Sequence, residues 1–352
     1  MKLLIATDAW HPQVNGVVQT LTMTAAALRD MNVDVRFITP QSFRTVGMPG
    51  YPGIRLALPR PSQIARLIEA DRPDSIHIAT EGPIGLIVRR YCKKHHLPVT
   101  TSFHTRFPEY VSARLPIPER AVWAVLRWFH RPSRAVMAAT PALALELRAR
   151  GFGDVVLWPR GVNAALFRPR SMAQKTYPGP VFLSVGRLAV EKNLRAFLSL
   201  DLPGTKVVVG DGPERSSLER DYPHAVFLGE LFGEALAEIY AIADVFVFPS
   251  RTDTFGLVLL EALASGVPVA AFPVTGPRDV IGEAPVGALD PDLRSACLEA
   301  LTLSRQACRS FALERSWEVS ARTFLNNIGD ANRETSNQLA SDEGRDAEPH
   351  LQ

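Results

Sequence analysis

Cysteine is scarce in this 352-residue chain: Cys92, Cys297 and Cys308 are an odd number with no C-x-x-C pair. That excludes a disulfide framework and a paired-thiol redox or zinc motif, and it points to a reducing compartment. Long apolar runs are missing, none reaching the roughly 18 residues that a membrane-spanning helix needs. The opening "MKLLIATDAWHP" has one short apolar run followed by an acid, which reads as a strand and not as a secretory signal. A G-x-G-x-x-G sequence is also missing, which weighs against a dinucleotide-dependent dehydrogenase with two Rossmann domains. No internal repeat is present, which excludes solenoids and propellers. What remains is an ordinary soluble composition, 46% hydrophobic and 21% charged, on a chain long enough for two domains with a core each.

The net charge of +3 hides an asymmetry. Residues 1–165 hold 21 Lys+Arg against 11 Asp+Glu, a balance of +10; the totals of 39 and 36 then leave 18 against 25, a balance of −7, for the rest. A basic first half favours an anionic partner, with nucleic acid and a layer of acidic lipid headgroups as the candidates. An unevenly charged solvated surface is the plain alternative.

Short apolar runs alternate with longer helical patterns. In the first half "KLLIATDA", "VDVRFITP", "SIHIAT", "LPVTTSFH" and "AVMAAT" read as strands; in the second "PVFLSVGRL", "TKVVVGDG", "AVFLGEL", "ADVFVFPS" and "VPVAAFPV" do. Runs without period-2 alternation suit sheets covered on both faces, hence parallel strands with crossover helices. The expected architecture is two α/β, doubly wound, Rossmann-like domains in tandem. Prolines, glycines and the switch of charge sign place the boundary within 158–179, giving domains over 1–165 and 166–310. A helical stretch is expected from 291 to about Ile328, its end (311–328) able to pack back on the first domain, with a polar disordered tail over 329–352.

In doubly wound sheets ligands sit beyond the carboxyl ends of strands, where helices present unpaired amides. In "SRTDTFGLVLLEALASGVPV", residues 250–269, a strand leads to a helix opening near Phe255, Gly256 and Leu257. The amides there suit a phosphate, and Gly256 lets it come close. Glu261 lies in position to accept both hydroxyls of a ribose, and Asp253 stands before the helix at the phosphate end. The bland alternative makes Asp253 or Thr254 a helix cap and Glu261 a surface residue. In "VGRLAVEKNL", Arg187 and Lys192 follow a strand and suit a diphosphate, or a solvated loop. Gly16 opens a helix after Asn15, and His104 closes a strand in "TTSFHTRF".

Taken together, "PQVNGV", "SFHT", "WPRGVNAALFRP", "VGRLAVEKN", "VVGDGPE" and "SRTDTFGLVLLEALASGVPV" closely resemble family 4 glycosyltransferases over about residues 1–328. "FHTRFPEY" and "LWPRGVNAALFRPR" look most like members that glycosylate lipids, among them sulfoquinovosyl and glucuronosyl diacylglycerol synthases, together with GDP-mannose-dependent mannosyltransferases. The resemblance implies the GT-B fold, two Rossmann-like domains facing across a cleft. It gives Arg187 and Lys192 to the donor diphosphate, the amides of Phe255, Gly256 and Leu257 to the phosphates, and Glu261 to the ribose. Asp253 matches the first acid of the family's E-x7-E motif, which meets the donor sugar. Gly16 matches a glycine near the diphosphate, His104 the residue facing the transferred sugar, and Asp211 and Gly212 a turn beside the donor. Asp253 departs from the usual glutamate, shortening the side chain by one methylene.

The implied reaction is retaining transfer of a hexose with no protein nucleophile, no cofactor and no metal; "DPD" at 290–292 is a chance match to a metal-binding D-x-D. The first expectation is a UDP-glucose or UDP-glucuronate donor with diacylglycerol as acceptor, the alternative GDP-mannose with a lipid or glycan. A non-catalytic two-lobe nucleotide- or sugar-binding protein is the rival from another class. On "IPERAVWAVLRWFHRPSR", 117–134, Arg120, Arg127, Arg131 and Arg134 form a helical stripe flanked by Trp123 and Trp128, which suits an anionic membrane surface. A core-facing helix with a solvated edge is the alternative. The protein is expected in the cytoplasm, peripheral on the inner face of the cell membrane, with no nucleic-acid partner.

Overall fold

The structure is a computed structural model that describes residues 1–13, 15–48, 51–104, 118–170, 177–252 and 255–345. The chain divides into two compact units, one of Met1–Pro159 with the chain from Ser320 onward, the other Arg160–Val319.

In the first unit β1 (Lys2–Ala6), β2 (Asp34–Ile38), β5 (Ser75–Ile78), β6 (Val99–Phe103), β7 (Val136–Ala138) and β8 (Val155–Leu157) form a parallel sheet in the order β2-β1-β5-β6-β7-β8. A separate antiparallel hairpin joins β3 (Thr45–Met48) to β4 (Tyr51–Ala57). Strand residues serve opposite faces by turns. Leu3 and Ile5 join one core with Leu21, Ala25 and Leu28 of α1 (Gly16–Asp30), while Leu4 and Ala6 join another with Ile64 and Ile68 of α2 (Pro61–Asp71) and Ile84 and Val88 of α3 (Pro83–Lys94). That two-sided burial is why β1 is apolar from Leu3 to Ala6 without alternation. The unit also holds α4 (Glu119–His130) and α5 (Pro141–Ala149).

The second unit repeats the plan with a different strand order. β9 (Val181–Val185), β10 (Thr205–Val209), β11 (Val226–Phe227), β12 (Val245–Phe248), β13 (Val269–Ala271) and β14 (Gly287–Leu289) lie as β11-β10-β9-β12-β13-β14, all parallel. Its helices are α6 (Leu194–Leu198), α7 (Arg215–Asp221), α8 (Gly233–Ile242), α9 (Leu257–Ala264), α10 (Thr275–Ile281), α11 (Leu293–Ala300) and α12 (Arg305–Leu313). Phe246 and Phe248 pack into one core, Val245 and Val247 into the other. α13 (Trp317–Arg345) leaves this unit, and its Ala321, Phe324 and Ile328 enter the first unit's core beside Leu3, Ile5 and Trp158. A fully buried side chain of this size contributes about 2–3 kcal/mol, so these residues tie the end of the chain down.

Three expectations differ from what the structure holds. Residues 160–165 belong to the second unit, because Val162 donates its amide to Arg315 O at 2.9 Å and pairs with Ser316. The stretch from 291 is three helices, broken before Ser304, whose side chain caps α12, and again before Trp317. Helix also continues to Arg345 where a disordered tail is expected; glutamate, glutamine, leucine, alanine and arginine are good helix formers, and no proline intervenes before Pro349.

Candidate active site

In the second unit the strand order reverses direction between β9 and β12, and a doubly wound sheet opens a crevice at such a reversal. The loops after these two strands hold the predicted motifs. Beyond β12 the chain passes Ser250, then Arg251, whose guanidinium lies 3.8 Å over the Phe272 ring. Asp253 and Thr254 lie outside the described residues. Phe255 packs against the core, and Gly256 caps α9 with φ +84°, a left-handed conformation; a Cβ there would meet Phe248 and Leu259 at 3.2 Å. Glycine is therefore required for α9 to begin where it does, aiming its first amides along the carboxyl edge of the sheet.

Glu261, one turn into α9, is 5% exposed. Its Oε2 accepts a hydrogen bond from the Tyr240 hydroxyl at 3.1 Å. Burial, and then the adjacent Glu261 charge, hold the Tyr240 hydroxyl well above its ordinary pKa, so it stays a donor throughout the physiological range. A buried carboxylate without such donors costs several kcal/mol. The surface reading of Glu261 is therefore excluded.

The loop after β9 is stitched to its neighbours. Asn193, left-handed at φ +54°, donates Nδ2 to Pro249 O at 3.1 Å, and Ser250 Oγ donates to Glu191 O at 3.3 Å. These bonds draw the Arg187–Lys192 loop to the loop that precedes α9. Arg187 is half-exposed and pairs with Glu191 at 2.9 Å; Lys192 ends a short 3-10 turn. On the other side Leu188 N donates to Asp211 O at 2.8 Å and Glu214 N to Leu188 O at 2.9 Å. A Cβ on Gly210 would stand 1.9 Å from Gly186 O, and one on Gly212 would stand 2.4 Å from Leu188 O. Asp211 accepts from Gly212 N at 2.7 Å and pairs with Arg215, so its carboxylate shapes this turn.

In the first unit the order reverses between β1 and β5. Asp8, just past β1, accepts from Thr80 Oγ1 and from the amides of Ile84 and Gly85 at the start of α3. Burial raises its carboxyl pKa against the lowering effect of those donors. Gly16 is the first residue of α1, where Asn15 caps the amides of Val17 and Val18 at 3.0 Å. His104 follows β6, its Nε2 2.9 Å from Ser102 Oγ.

A model described as Glycosyltransferase Family 4 matches residues 14–166, and one described as Glycosyl transferases group 1 matches 179–302. A GDP-mannose-dependent alpha-mannosyltransferase of Mycobacterium tuberculosis is 31% identical over 92% of this chain and 95% of its own. The chain belongs to glycosyltransferase family 4. Other members similar to it are the sulfoquinovosyl transferase SQD2 of Arabidopsis thaliana, 32% identical over 73% of this chain and 56% of its own, and an alpha-monoglucosyldiacylglycerol synthase of Streptococcus pneumoniae, 25% identical over 92% and 83%. The fold is GT-B: a sucrose-phosphate synthase from Thermosynechococcus elongatus superposes with a TM-score of 0.75 at 21% identity, covering 96% of this chain and 99% of that one.

Within this family member one part of the expected membrane helix is corrected. Trp123 is 4% exposed: it stacks on Phe103 at 5.8 Å, lies under the Arg150 guanidinium and donates Nε1 to Glu119. It shares the i, i+3, i+7 face of α4 with the buried Leu126 and His130, so the helical period turns it to the core. Val125 is 60% exposed, and Trp128 is 53% exposed beneath the Arg89 guanidinium. Arg120, Arg127 and Arg131 are all exposed, and Arg127 also donates to Arg150 O. Within "DPD", Asp292 caps α11, accepting from the amides of Arg294 and Ser295, and Asp290 accepts from the amide of Asp292. Among the described residues no helix is long and apolar enough to cross a membrane. Tyr240, Asn193, Asp8 and Ser102 were not singled out by sequence; Tyr240 stands 21 positions before Glu261, and no local spacing links them.

Proposed function

We propose that this protein transfers a hexose, with retention of configuration, from a nucleotide-diphosphate sugar to a membrane lipid. The observation that carries this is the second unit's reversal point, where a glycine-opened helix, a buried Tyr240-bonded Glu261 and the Arg187–Lys192 loop are held together. Glu261 accepts the ribose hydroxyls. The α9 amides and the cations Arg187 and Lys192 stabilise the diphosphate as the sugar–phosphate bond breaks. Asp253 and His104 both meet the sugar that is transferred. Gly16, Asp211 and Gly212 complete the set as close-approach and turn positions. The acceptor hydroxyl attacks on the face from which the diphosphate leaves and gives up its proton to that diphosphate.

UDP-glucose or UDP-glucuronate with diacylglycerol is the first pair; the glucosyldiacylglycerol synthase among the relatives supports it. A second reading, GDP-mannose as donor, is supported by mannosyltransferases that match nearly end to end. The exposed Trp128, Arg120 and Arg131 support membrane contact, which would hold the protein peripherally on the cytoplasmic face.

Thermal unfolding with UDP, GDP and ADP at matched concentration tests the donor, since a ligand of the folded state alone raises stability as its concentration passes its Kd. Stabilisation by UDP supports the first pair, and by GDP the second. Stabilisation by neither overturns the donor site. Incubation of the selected nucleotide sugar with diacylglycerol vesicles, followed by NMR of the anomeric proton, then tests acceptor and retention.

A further inference from the structure

A chain of buried side chains ends at His104. Thr100, Ser102 and His104 alternate along and just beyond β6, so their side chains share one face, and in the neighbouring strand His77 pairs in register with Thr100. Thr100 Oγ1 lies 2.9 Å from His77 Nδ1, His77 Nε2 lies 3.1 Å from Ser102 Oγ, and Ser102 Oγ lies 2.9 Å from His104 Nε2. Thr100, His77 and Ser102 are buried. Aromatic rings cover the chain: Phe324 of α13 stands edge-on to His77 at 4.9 Å, and Trp158 stands 5.9 Å from His77 and 5.7 Å from His104.

The direction of the protons follows from the hydroxyls. Among the described residues the Thr100 hydroxyl has one hydrogen-bond partner, His77 Nδ1. A buried hydroxyl hydrogen without an acceptor costs about 1–3 kcal/mol, so Thr100 donates and His77 Nδ1 accepts. A neutral imidazole that accepts at Nδ1 donates at Nε2, which places the His77 proton on Ser102 Oγ. Ser102 then donates onward. Its contact with Ala79 O is 3.4 Å, beyond the usual range for O–H···O, whereas His104 Nε2 is at 2.9 Å.

We infer that Thr100, His77 and Ser102 are positioning residues that hold His104 as a neutral ring with its proton on Nδ1. This rests on the role proposed above for His104. A hydrogen bond from Nδ1 to a bound sugar is then one in which His104 donates, and the ring has no freedom to turn its acceptor nitrogen there instead. α13, crossing back from the second unit, belongs to the same device through Phe324.

The test uses the full chain labelled with 15N-histidine, with long-range 1H–15N correlation to separate N–H from unprotonated ring nitrogens, and His104→Gln to assign the signal. The expected wild-type result is His104 with Nδ1–H. Ser102→Ala should mix its tautomers and lower turnover roughly ten- to hundredfold, as small misplacements of a positioned group do, leaving the donor KM within about twofold. Thr100→Val, which keeps the shape of the buried side chain, should shift both readouts less, and it decides the matter if Ser102→Ala does not fold. An Nε2–H tautomer in the wild type overturns the inference; so do unchanged spectra and turnover in the folded variants. The spectra need no substrate. A protein inert towards every nucleotide sugar but with the Nδ1–H ring intact overturns the transferase reading and leaves the hydrogen-bond chain standing.

Discussion

The two units share six parallel strands but differ in where the sheet reverses: between β1 and β5 in the first, between β9 and β12 in the second. In the first, Asp8 fills the reversal, spending its carboxylate on Thr80 and the amides of α3, and His104 stands one strand further along. In the second, the reversal is lined by backbone and motif residues, with Gly210 and Gly212 allowing the loops after β9 and β10 to touch and Gly256 opening α9. The candidate site residues rest on a chain of side-chain hydrogen bonds in one unit and on close-packed loops around one buried carboxylate in the other.

That contrast can be broken most sharply at the donor motif. Lys192→Ala and Glu261→Gln should each lower transfer by roughly a hundredfold or more, the scale of losing one charge-stabilising group, with circular dichroism unchanged. Glutamine keeps an acceptor for Tyr240, which separates chemistry from folding; wild-type turnover in either variant would remove the donor-site assignment. Next, Gly210→Ala should destabilise the second unit by about 3 kcal/mol or more, because φ is +137° and the added carbon meets Gly186 O. Gly153→Ala in the first unit, where nothing lies within 4 Å, should stay within about 0.5 kcal/mol. Urea titrations compare the two, and equal shifts would dissolve the distinction between crowded and open loops.

A smaller effect concerns the basic face. Exchanging Arg120 and Arg131 for Glu should weaken binding to anionic vesicles by about 1 kcal/mol for each cation removed near the surface. Sedimentation with unaltered binding would take α4 out of the membrane account. Smallest is the pH response of the thiols. Burial pushes Cys92 and Cys297 up to about 12 and Cys308 up to about 11 from an ordinary 9. Folding thus favours the protonated thiol: the contribution is intact below pH 9 and declines towards pH 12 as the unfolded chain ionises first. Thiol reagents at pH 8 should modify none of the three until a unit unfolds; rapid native labelling would show that its core is open.

Much of the fold was legible. β1 from Leu3 to Ala6 and β12 from Val245 to Phe248 are apolar without alternation because both faces are buried, and that pattern needs no knowledge of the partners. The short β8 and β14, "VVL" and "GAL", are too brief to carry a period, and the hairpin β3–β4 carries no comparable run. Of the site, the glycine opening α9 and the cations after β9 were visible as local patterns. Tyr240 beneath Glu261 and Asn193 reaching Pro249 were not, and Trp123 was assigned to the wrong face because a stripe on a helix does not say which side the core lies.

By itself the sequence determined the class of the two sheets, the family, and the residue types at the strand ends, since these follow from burial on two faces and from motifs a few residues long. The tertiary structure alone decided that Glu261 is buried, that the loops after β9, β10 and β12 form one surface, and that α13 seals His77 and Trp158. Those facts depend on groups brought together across tens of residues, and a hydrogen bond acts over about 3 Å of space, whatever the distance along the chain.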